Sequence, residues 1–210
     1  MKFNLLPLAL ALALGAASAA AAPPPEQTVD MQEALKPGPL PELSFGPADG
    51  VPVIEYGSVT CPHCAVFNRE TLPEFKKAYV DTGKVRYIFR EFSRNPLDVA
   101  AFTLARCVGE DKDRAMAVID LEFATQDKWA FVNNPLDPLL AALRPTGLPR
   151  DKAMECLKDT ALVGKVRQVT ETGEKLAKIQ GTPTFIINGK SYGGELSMAD
   201  FNELLKPPVK

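Results

Sequence analysis

Residues 51–64 read VPVIEYGSVTCPHC and contain the clearest secondary-structure signals of the chain. Its first part, residues 51–56, is short and mostly apolar, which is typical of a buried strand, and Gly57 closes it. The second part opens a helix at Cys61, with Thr60 as the expected cap. The stretch therefore predicts a strand followed at once by a helix, with two cysteines at the junction.

The rest of the chain predicts an ordered series of strands and helices. Residues 85–92 are rich in β-branched and aromatic residues and predict a second strand. Apolar residues at helical spacing dominate residues 95–179, and strand character returns at residues 184–187. Asn188-Gly189 is a two-residue hairpin signal. A strand–helix–strand unit followed by an antiparallel hairpin predicts an α/β protein with one mixed sheet and flanking helices.

The motif Cys61-Pro62-His63-Cys64 is the strongest chemical signal in the sequence. Two sulfurs three positions apart at a helix start lie on one face, and the first is nearer to the unpaired N–H groups of the helix N-terminus. These groups and the helix dipole stabilise a thiolate at Cys61. Pro62 suits the first turn because it has no N–H, and His63 can add a hydrogen bond or a positive charge beside Cys61. The motif predicts thiol–disulfide redox catalysis.

Two simpler interpretations of this motif are a structural disulfide and half of a metal site. A zinc site needs two more ligands, yet His63 is the only histidine and no second C-x-x-C exists. We therefore expect no metal and no bound cofactor. A soft-metal carrier using Cys61, His63 and Cys64 stays open as a non-enzymatic alternative, as does a holdase for unfolded chains.

The N-terminal residues and the charge indicate where the protein works. A positive start, an apolar run and Ala17-Ser18-Ala19 follow the order of a secretory signal peptide, expected over residues 1–19. Residues 20–44 are rich in Ala, Pro and Gly and are expected to form a linker, with at most an edge strand near residues 43–45. The net charge of −2 gives no footprint for nucleic acid. We expect an exported, periplasmic protein, in a compartment where disulfides persist.

Together with the C-P-H-C motif, a late segment carries a family resemblance. This segment is Gly181-Thr182-Pro183-Thr184-Phe185, followed by Asn188-Gly189. The combination resembles the thioredoxin superfamily, and most closely the periplasmic disulfide oxidoreductases of the DsbA type. The resemblance implies a thioredoxin fold over residues 45–94 and 180–210, with an inserted helical domain over residues 95–179.

The resemblance also implies roles for single residues. Cys61 would be the exposed nucleophile and Cys64 its buried partner, and Pro183 would be cis beside the disulfide. The backbone of Thr182 would then pair with an extended substrate peptide. Glu55 matches an acidic position near the buried cysteine and could relay a proton for Cys64. The alternative is an ordinary strand glutamate that faces solvent.

A disulfide oxidase is the activity that we expect. Its Cys61–Cys64 disulfide would pass to reduced or unfolded exported proteins, and a DsbB-type membrane partner would reoxidise it with quinone as electron acceptor. Thr182 is a departure, because the best-studied oxidases have Val there while isomerase-type relatives have Thr. A disulfide isomerase or reductase that is kept reduced in the cell is the alternative. The short Pro-rich segment before the first strand cannot form the dimerisation domain of such isomerases, so we expect a monomer.

Two further cysteines, Cys107 and Cys156, fall on predicted helices. Neither has the helix-start or C-x-x-C context that would support a second redox centre. In an exported protein a structural disulfide between them is the favoured interpretation, and two buried thiols are the alternative.

Overall fold

The structure, a computed structural model, describes residues 22–207, so the expected signal peptide lies outside the described residues. The strands are β1 Gln27–Thr28, β2 Leu43–Phe45, β3 Val51–Gly57, β4 Val85–Glu91, β5 Thr184–Ile187 and β6 Lys190–Gly193. The α-helices are α1 Met31–Ala34, α2 Pro62–Val66, α3 Leu72–Phe75, α4 Pro96–Arg106, α5 Lys112–Ala124, α6 Gln126–Trp129, α7 Leu136–Ala142, α8 Arg150–Lys158, α9 Thr160–Ala177 and α10 Met198–Leu204. Two π-helical segments, Phe67–Thr71 and Lys76–Val80, flank α3, and a 3₁₀ turn, Arg144–Thr146, follows α7.

Within the described range the strands form one mixed sheet of six in the order β1-β6-β5-β3-β4-β2. β3 and β4 are parallel, and every other neighbouring pair is antiparallel. Asn188 and Gly189, between β5 and β6, have φ values of 50° and 74°. Positive φ at both central residues is what a two-residue type I′ hairpin requires. The predicted α/β class, with a strand–helix–strand unit and a hairpin in one sheet, is confirmed.

Strand β3 lies inside the sheet and is covered on both faces. Side chains alternate along a strand, so Glu55 faces one side and Tyr56 the other, and both are buried. On the second side α9 approaches closely, since a Cβ atom at Gly173 would lie 2.6 Å from the ring of Tyr56. The first side packs on an aromatic cluster formed by Phe67, Phe75, Phe185 and Phe201.

The expectation of a linker over residues 20–44 is wrong for its described part. Gln27–Thr28 pairs with β6 as an edge strand, and the side chain of Asp30 caps α1. Val29 and Ala34 are buried against the second side of the sheet. Burial of these apolar side chains outweighs the loop-forming composition around them. The edge strand expected near residues 43–45 does form, beside β4.

Between β4 and β5 the described chain holds the six helices α4 to α9, inside the interval 95–179. The side chain of Asn95 accepts hydrogen bonds from the first N–H groups of α4, as its cap. Trp129 is fully buried in the core of this helical block. Cys107, at the end of α4, forms a disulfide with Cys156 in α8, with their Cα atoms 5.9 Å apart. The bond therefore ties two helices of the block together.

Replacing Cys107 and Cys156 together by Ser is expected to destabilise the fold and to spare the redox site. The two residues are 49 positions apart, and closing a loop of that length is worth roughly 4 kcal/mol in the chain-entropy model. The double variant should therefore unfold at a lower denaturant concentration than the wild type, as measured by circular dichroism. Disulfide transfer by Cys61 and Cys64 should stay measurable at temperatures where the variant is still folded. Unchanged stability together with lost transfer would contradict a purely structural role.

Candidate active site

Cys61 and Cys64 lie where strand β3 turns into helix α2. Cys61 is the N-cap residue, with extended backbone at φ −90° and ψ 120°, and Pro62 occupies the first helical position. The cap expected at Thr60 is wrong, because its hydroxyl is hydrogen-bonded to Asp98 on α4 and the helix begins one residue later. Cys61 therefore lies at the helix end that has unpaired backbone N–H groups.

Access to the two sulfurs is unequal but low for both. Cys61 is 3% exposed and Cys64 is not exposed at all. The exposed nucleophile implied by the resemblance is thus nearly covered, because the segment that contains Thr182 packs against it. The order of access nevertheless agrees with the expectation, since Cys61 is the more accessible of the pair. Both cysteines are free thiols in this structure.

Hydrogen-bond donors surround the sulfur of Cys61. The thiol of Cys64 has the largest effect, and with Thr182 and the backbone N–H groups of Cys64 and His63 it lowers the pKa of Cys61 to about 5, against the opposing effect of partial burial. A donor stabilises the charged sulfur and has less to offer the neutral one. A thiolate is therefore the stable form of Cys61 at neutral pH.

The Cys64 sulfur behaves in the opposite way. Burial raises the pKa of Cys64 well above that of a free thiol, and the hydrogen bond to Cys61 and the charge of Glu55 raise it further. The N–H of Ser58 lies 3.4 Å from this sulfur and is a stabilising donor, but it does not offset the loss of water. Cys64 consequently keeps its proton while Cys61 loses its own.

The two residues between the cysteines differ in their contacts. Pro62 is in the first turn, where its missing N–H leaves no hydrogen bond unmade. The imidazole of His63 is largely exposed, and its Nδ1 is hydrogen-bonded to the carboxylate of Glu195. His63 thus acts on Cys61 through its backbone N–H, whereas the sequence suggested its side chain. The pairing with Glu195, 132 residues away, had no signal in the sequence.

The segment before β5 closes the other side of Cys61. The Thr182–Pro183 peptide bond is cis, as the resemblance implied. When Cys61 is protonated, its thiol donates to the carbonyl oxygen of Thr182 at a distance of 3.2 Å. Thr182 also contributes a side-chain hydrogen bond that lowers the pKa of Cys61, in the same direction as the donors of α2. Thr182 and Pro183 therefore border the reactive sulfur, and their role in substrate binding stays a prediction.

Glu55 lies inside the protein and not at its surface. It is 1% exposed, and its carboxylate accepts a hydrogen bond of 2.6 Å from the hydroxyl of Tyr87. Burial raises the pKa of Glu55 to about 8, although the bond from Tyr87 partly opposes the shift. The alternative of a solvent-facing strand glutamate is wrong. Since the charge of Glu55 bears on Cys64, the two groups are close enough to be coupled.

Sequence reasoning missed the side chains that hold the turn at residues 58–61. Asp98 on α4 accepts several hydrogen bonds from this turn. Gln126 on α6 donates to the carbonyl oxygens of Val59 and Cys61 at 2.7 and 3.0 Å. A first-turn aspartate and a lone glutamine are common on helices, so only the folded structure identifies them.

The described residues offer little to a metal ion. Within residues 22–207 no group of three or more His, Cys, Asp or Glu side chains could hold one. This includes the soft-metal site considered for Cys61, His63 and Cys64, whose side chains do not form such a group. In the same part of the chain, no helix combines the length and the apolar character needed to cross a bilayer.

Known proteins resemble this chain in sequence and in structure. Residues 46–207 match the family model described as Thioredoxin. A Rickettsia prowazekii protein named as a protein-disulfide oxidoreductase is 37% identical over 137 residues, 65% of this chain and 50% of that protein. A Bacillus anthracis protein named as disulfide bond formation protein D is 29% identical, covering 79% of this chain and 76% of its own. The crystal structure of alpha-DsbA1 from Wolbachia pipientis has a TM-score of 0.74 at 27% identity, covering 82% of this chain and 92% of that one. This chain spans about half the length of the Rickettsia relative.

The reduced protein is expected to ionise first at Cys61, with a midpoint near pH 5. Ultraviolet thiolate absorbance measures the midpoint, and iodoacetamide labelling under mildly acidic conditions identifies the residue. Cys64→Ala removes the strongest donor and should raise the midpoint by roughly one pH unit. Cys64→Ser keeps a hydroxyl donor and should stay nearer to the wild type. A wild-type midpoint above about pH 8, the range of an ordinary thiol, or first labelling at Cys64 would refute the assignment.

Proposed function

This chain belongs to the thioredoxin family, among its DsbA-like members, and from that premise we propose that it is a thiol:disulfide oxidoreductase that introduces disulfides into exported proteins. The observation that carries the proposal is the unequal ionisation of the pair, with a stable thiolate at Cys61 and a buried thiol at Cys64. A stable thiolate lowers the free energy of the reduced enzyme. The disulfide of the same pair is therefore a stronger oxidant.

The first step joins the substrate to Cys61. A substrate thiolate attacks Sγ of Cys61 in the oxidised enzyme, a new sulfur–sulfur bond forms, and the Cys61–Cys64 bond breaks. Cys64 leaves with the electron pair. Attack at Cys61 is favoured because Cys64 has no exposed surface in the folded protein.

The released Cys64 sulfur needs a proton, because its pKa lies well above neutral. Glu55 is the proposed donor. Burial raises its pKa to about 8, so at neutral pH most molecules carry a proton on this carboxyl group. Proton transfer from Glu55 would leave a neutral thiol at Cys64, and Glu55 would regain its proton before the next turnover.

The second step releases the product. The second thiolate of the substrate attacks the substrate sulfur of the mixed disulfide, so that the substrate disulfide forms and Cys61 leaves as a thiolate. Its low pKa makes Cys61 a good leaving group. Two electrons have then moved from the substrate to the enzyme, which is left reduced.

Substrates and partners follow from the same proposal. The substrates are reduced or unfolded exported proteins, and an extended segment of them would pair with the backbone of Thr182 next to Pro183. Reoxidation needs a two-electron acceptor, for which the family likeness suggests a DsbB-type membrane quinone reductase. We propose that the protein works in the periplasm as a monomer, with residues 1–19 removed as a signal peptide and without a bound cofactor.

A second candidate function is supported by Thr182, which occupies the position before Pro183. The best-studied oxidases have Val there, and isomerase-type relatives have Thr. A disulfide isomerase or reductase would use the same cysteines, but it would have to be kept reduced in the cell. The low pKa of Cys61 argues for the oxidase, since it favours transfer of the disulfide to the substrate.

Glu55→Gln is expected to slow formation of the mixed disulfide by roughly tenfold or more, because a general acid is lost. The carboxyl of Glu55 gives up its own proton as the pH rises through about 8, so the wild-type advantage should fade above that pH. Single-turnover quenching with a reduced peptide, measured across this range, tests both statements.

Tyr87→Phe is the matched control for Glu55→Gln. It keeps the carboxyl group but removes the hydrogen bond that lowers the pKa of Glu55. The loss of rate in this variant should therefore begin at a higher pH than in the wild type. Equal rates and equal pH profiles in all three proteins would contradict the relay.

The protein is expected to oxidise a reduced dithiol peptide quickly and to show little activity on scrambled ribonuclease. Acid trapping and thiol alkylation should find the Cys61–Cys64 pair mainly oxidised in cells. Thr182→Val is the informative variant, because it introduces the residue that the best-studied oxidases have before the cis proline. A pair found reduced in cells, together with efficient unscrambling, would replace the oxidase with the isomerase.

A further inference from the structure

Asp98 is a fully buried carboxylate whose hydrogen bonds converge on the active-site turn. Its two oxygens lie 3.0 and 2.9 Å from the hydroxyl of Ser58. They also accept from the backbone N–H and the hydroxyl of Thr60, at 2.9 and 3.1 Å, and from the N–H of Arg94 at 2.9 Å. A buried carboxylate is unfavourable unless several donors satisfy it, so the turn and the carboxylate hold one another in place.

The residues that bind Asp98 are those that set the position of the two sulfurs. The N–H of Ser58 points at the sulfur of Cys64, 3.4 Å away. The carbonyl oxygen of Ser58 accepts from the N–H of Cys61 at 3.1 Å. Thr60 directly precedes Cys61, whose extended backbone starts helix α2. A shift of Ser58 or Thr60 would therefore move the donors around both sulfurs.

Capping of its own helix does not account for the side chain of Asp98. The first N–H groups of α4 are already satisfied by the side chain of Asn95, which accepts from Leu97 and Asp98. The carboxylate of Asp98 instead reaches 38 and 40 positions back along the chain, to Thr60 and Ser58. All of its bonds except the one from Arg94 thus cross from the helical block to the turn that precedes the redox motif.

We propose that Asp98 is a positioning residue of the redox site, which fixes Ser58 and Thr60 so that the hydrogen-bond donors of the turn and of α2 stay aimed at Cys61 and Cys64. The inference deepens the proposed function and takes its biological meaning from it. Its test, however, measures the pH midpoint of Cys61 ionisation in the reduced protein and does not depend on oxidase activity.

The test replaces Asp98 by Asn, which keeps the shape and removes the charge and one acceptor oxygen. If Asp98 acts by positioning, the midpoint of Cys61 ionisation should rise by roughly one pH unit, a tenfold change in the ionisation constant. The reduction potential should become more negative at the same time, because the reduced form loses stability. Loss of the charge alone would act in the opposite direction, since a nearby negative charge disfavours a thiolate. A midpoint that is unchanged or lowered would overturn the proposal.

Two further variants test the same contacts without changing any charge. Ser58→Ala removes the hydroxyl bound to both oxygens of Asp98, and Thr60→Val removes the second hydroxyl. Each should raise the midpoint in the same direction as Asp98→Asn, by a smaller amount. If Asp98→Asn does not fold, these two variants decide the question, and wild-type midpoints in both would overturn the proposal.

Glu122→Gln is the matched control. Glu122 is another fully buried acid of the helical block, on α5, and within the described residues neither of its carboxyl oxygens has a hydrogen-bond partner. Its replacement should leave the Cys61 midpoint unchanged, and an equal shift in this variant would show that any buried acid has the effect. If the Asp98 variants shift the midpoint but the wild type oxidises no dithiol peptide, the proposed function fails while the positioning role stands.

Discussion

The hydrogen bond between the thiol of Cys64 and the sulfur of Cys61 makes the two cysteines unequal, because the pair then shares one proton that stays on the buried partner. This bond requires both sulfurs on the first turn of α2. The helix can begin there because strand β3 ends at Gly57 and residues 58–61 form a turn, closed by the bond from the N–H of Cys61 to the carbonyl oxygen of Ser58. The strand-to-helix junction is therefore part of the chemistry: it places one sulfur at the helix N-terminus and the other in the core.

Burial then fixes which acidic groups can carry charge. Cys64 and Glu55 are both without exposed surface or nearly so, and burial raises the pKa of each. Cys64 and Glu55 each have a donor, Ser58 and Tyr87, that does not offset burial, whereas several donors together lower the pKa of Cys61. In a medium of low polarity, one negative charge at Cys61 disfavours a second charge nearby, so at neutral pH the reduced site holds one thiolate and two protonated acids. When the sulfur of Cys64 is released, it can take up a proton, so the site does not have to hold a second negative charge beside Cys61.

Local patterns in the sequence were sufficient for much of the fold. The hairpin at Asn188-Gly189 and the strand–helix junction depend on neighbours a few residues away, and these predictions are confirmed. Most of the groups that lower the pKa of Cys61 lie equally close in the sequence. Contacts between distant segments were not predictable. Alternation along β3 places Glu55 on one face, but only packing decides that this face is covered. The His63–Glu195 bond could not be predicted for the same reason. Near β1, the Pro-rich composition predicted a linker, although the core buries Val29 and Ala34.

The inserted helical block contributes to the redox site as well as to its stability. Residues 58–61 form a buried turn, and water cannot satisfy its backbone groups as it would at an exposed helix start. Asp98 from α4 and Gln126 from α6 supply the missing partners, one as an acceptor and the other as a donor. Fixed side chains hold these groups in one orientation, whereas water would have to reorganise each time the charge on Cys61 appears or disappears. Changes in the helical block can therefore alter the behaviour of the cysteine pair even when the C-P-H-C motif itself is untouched.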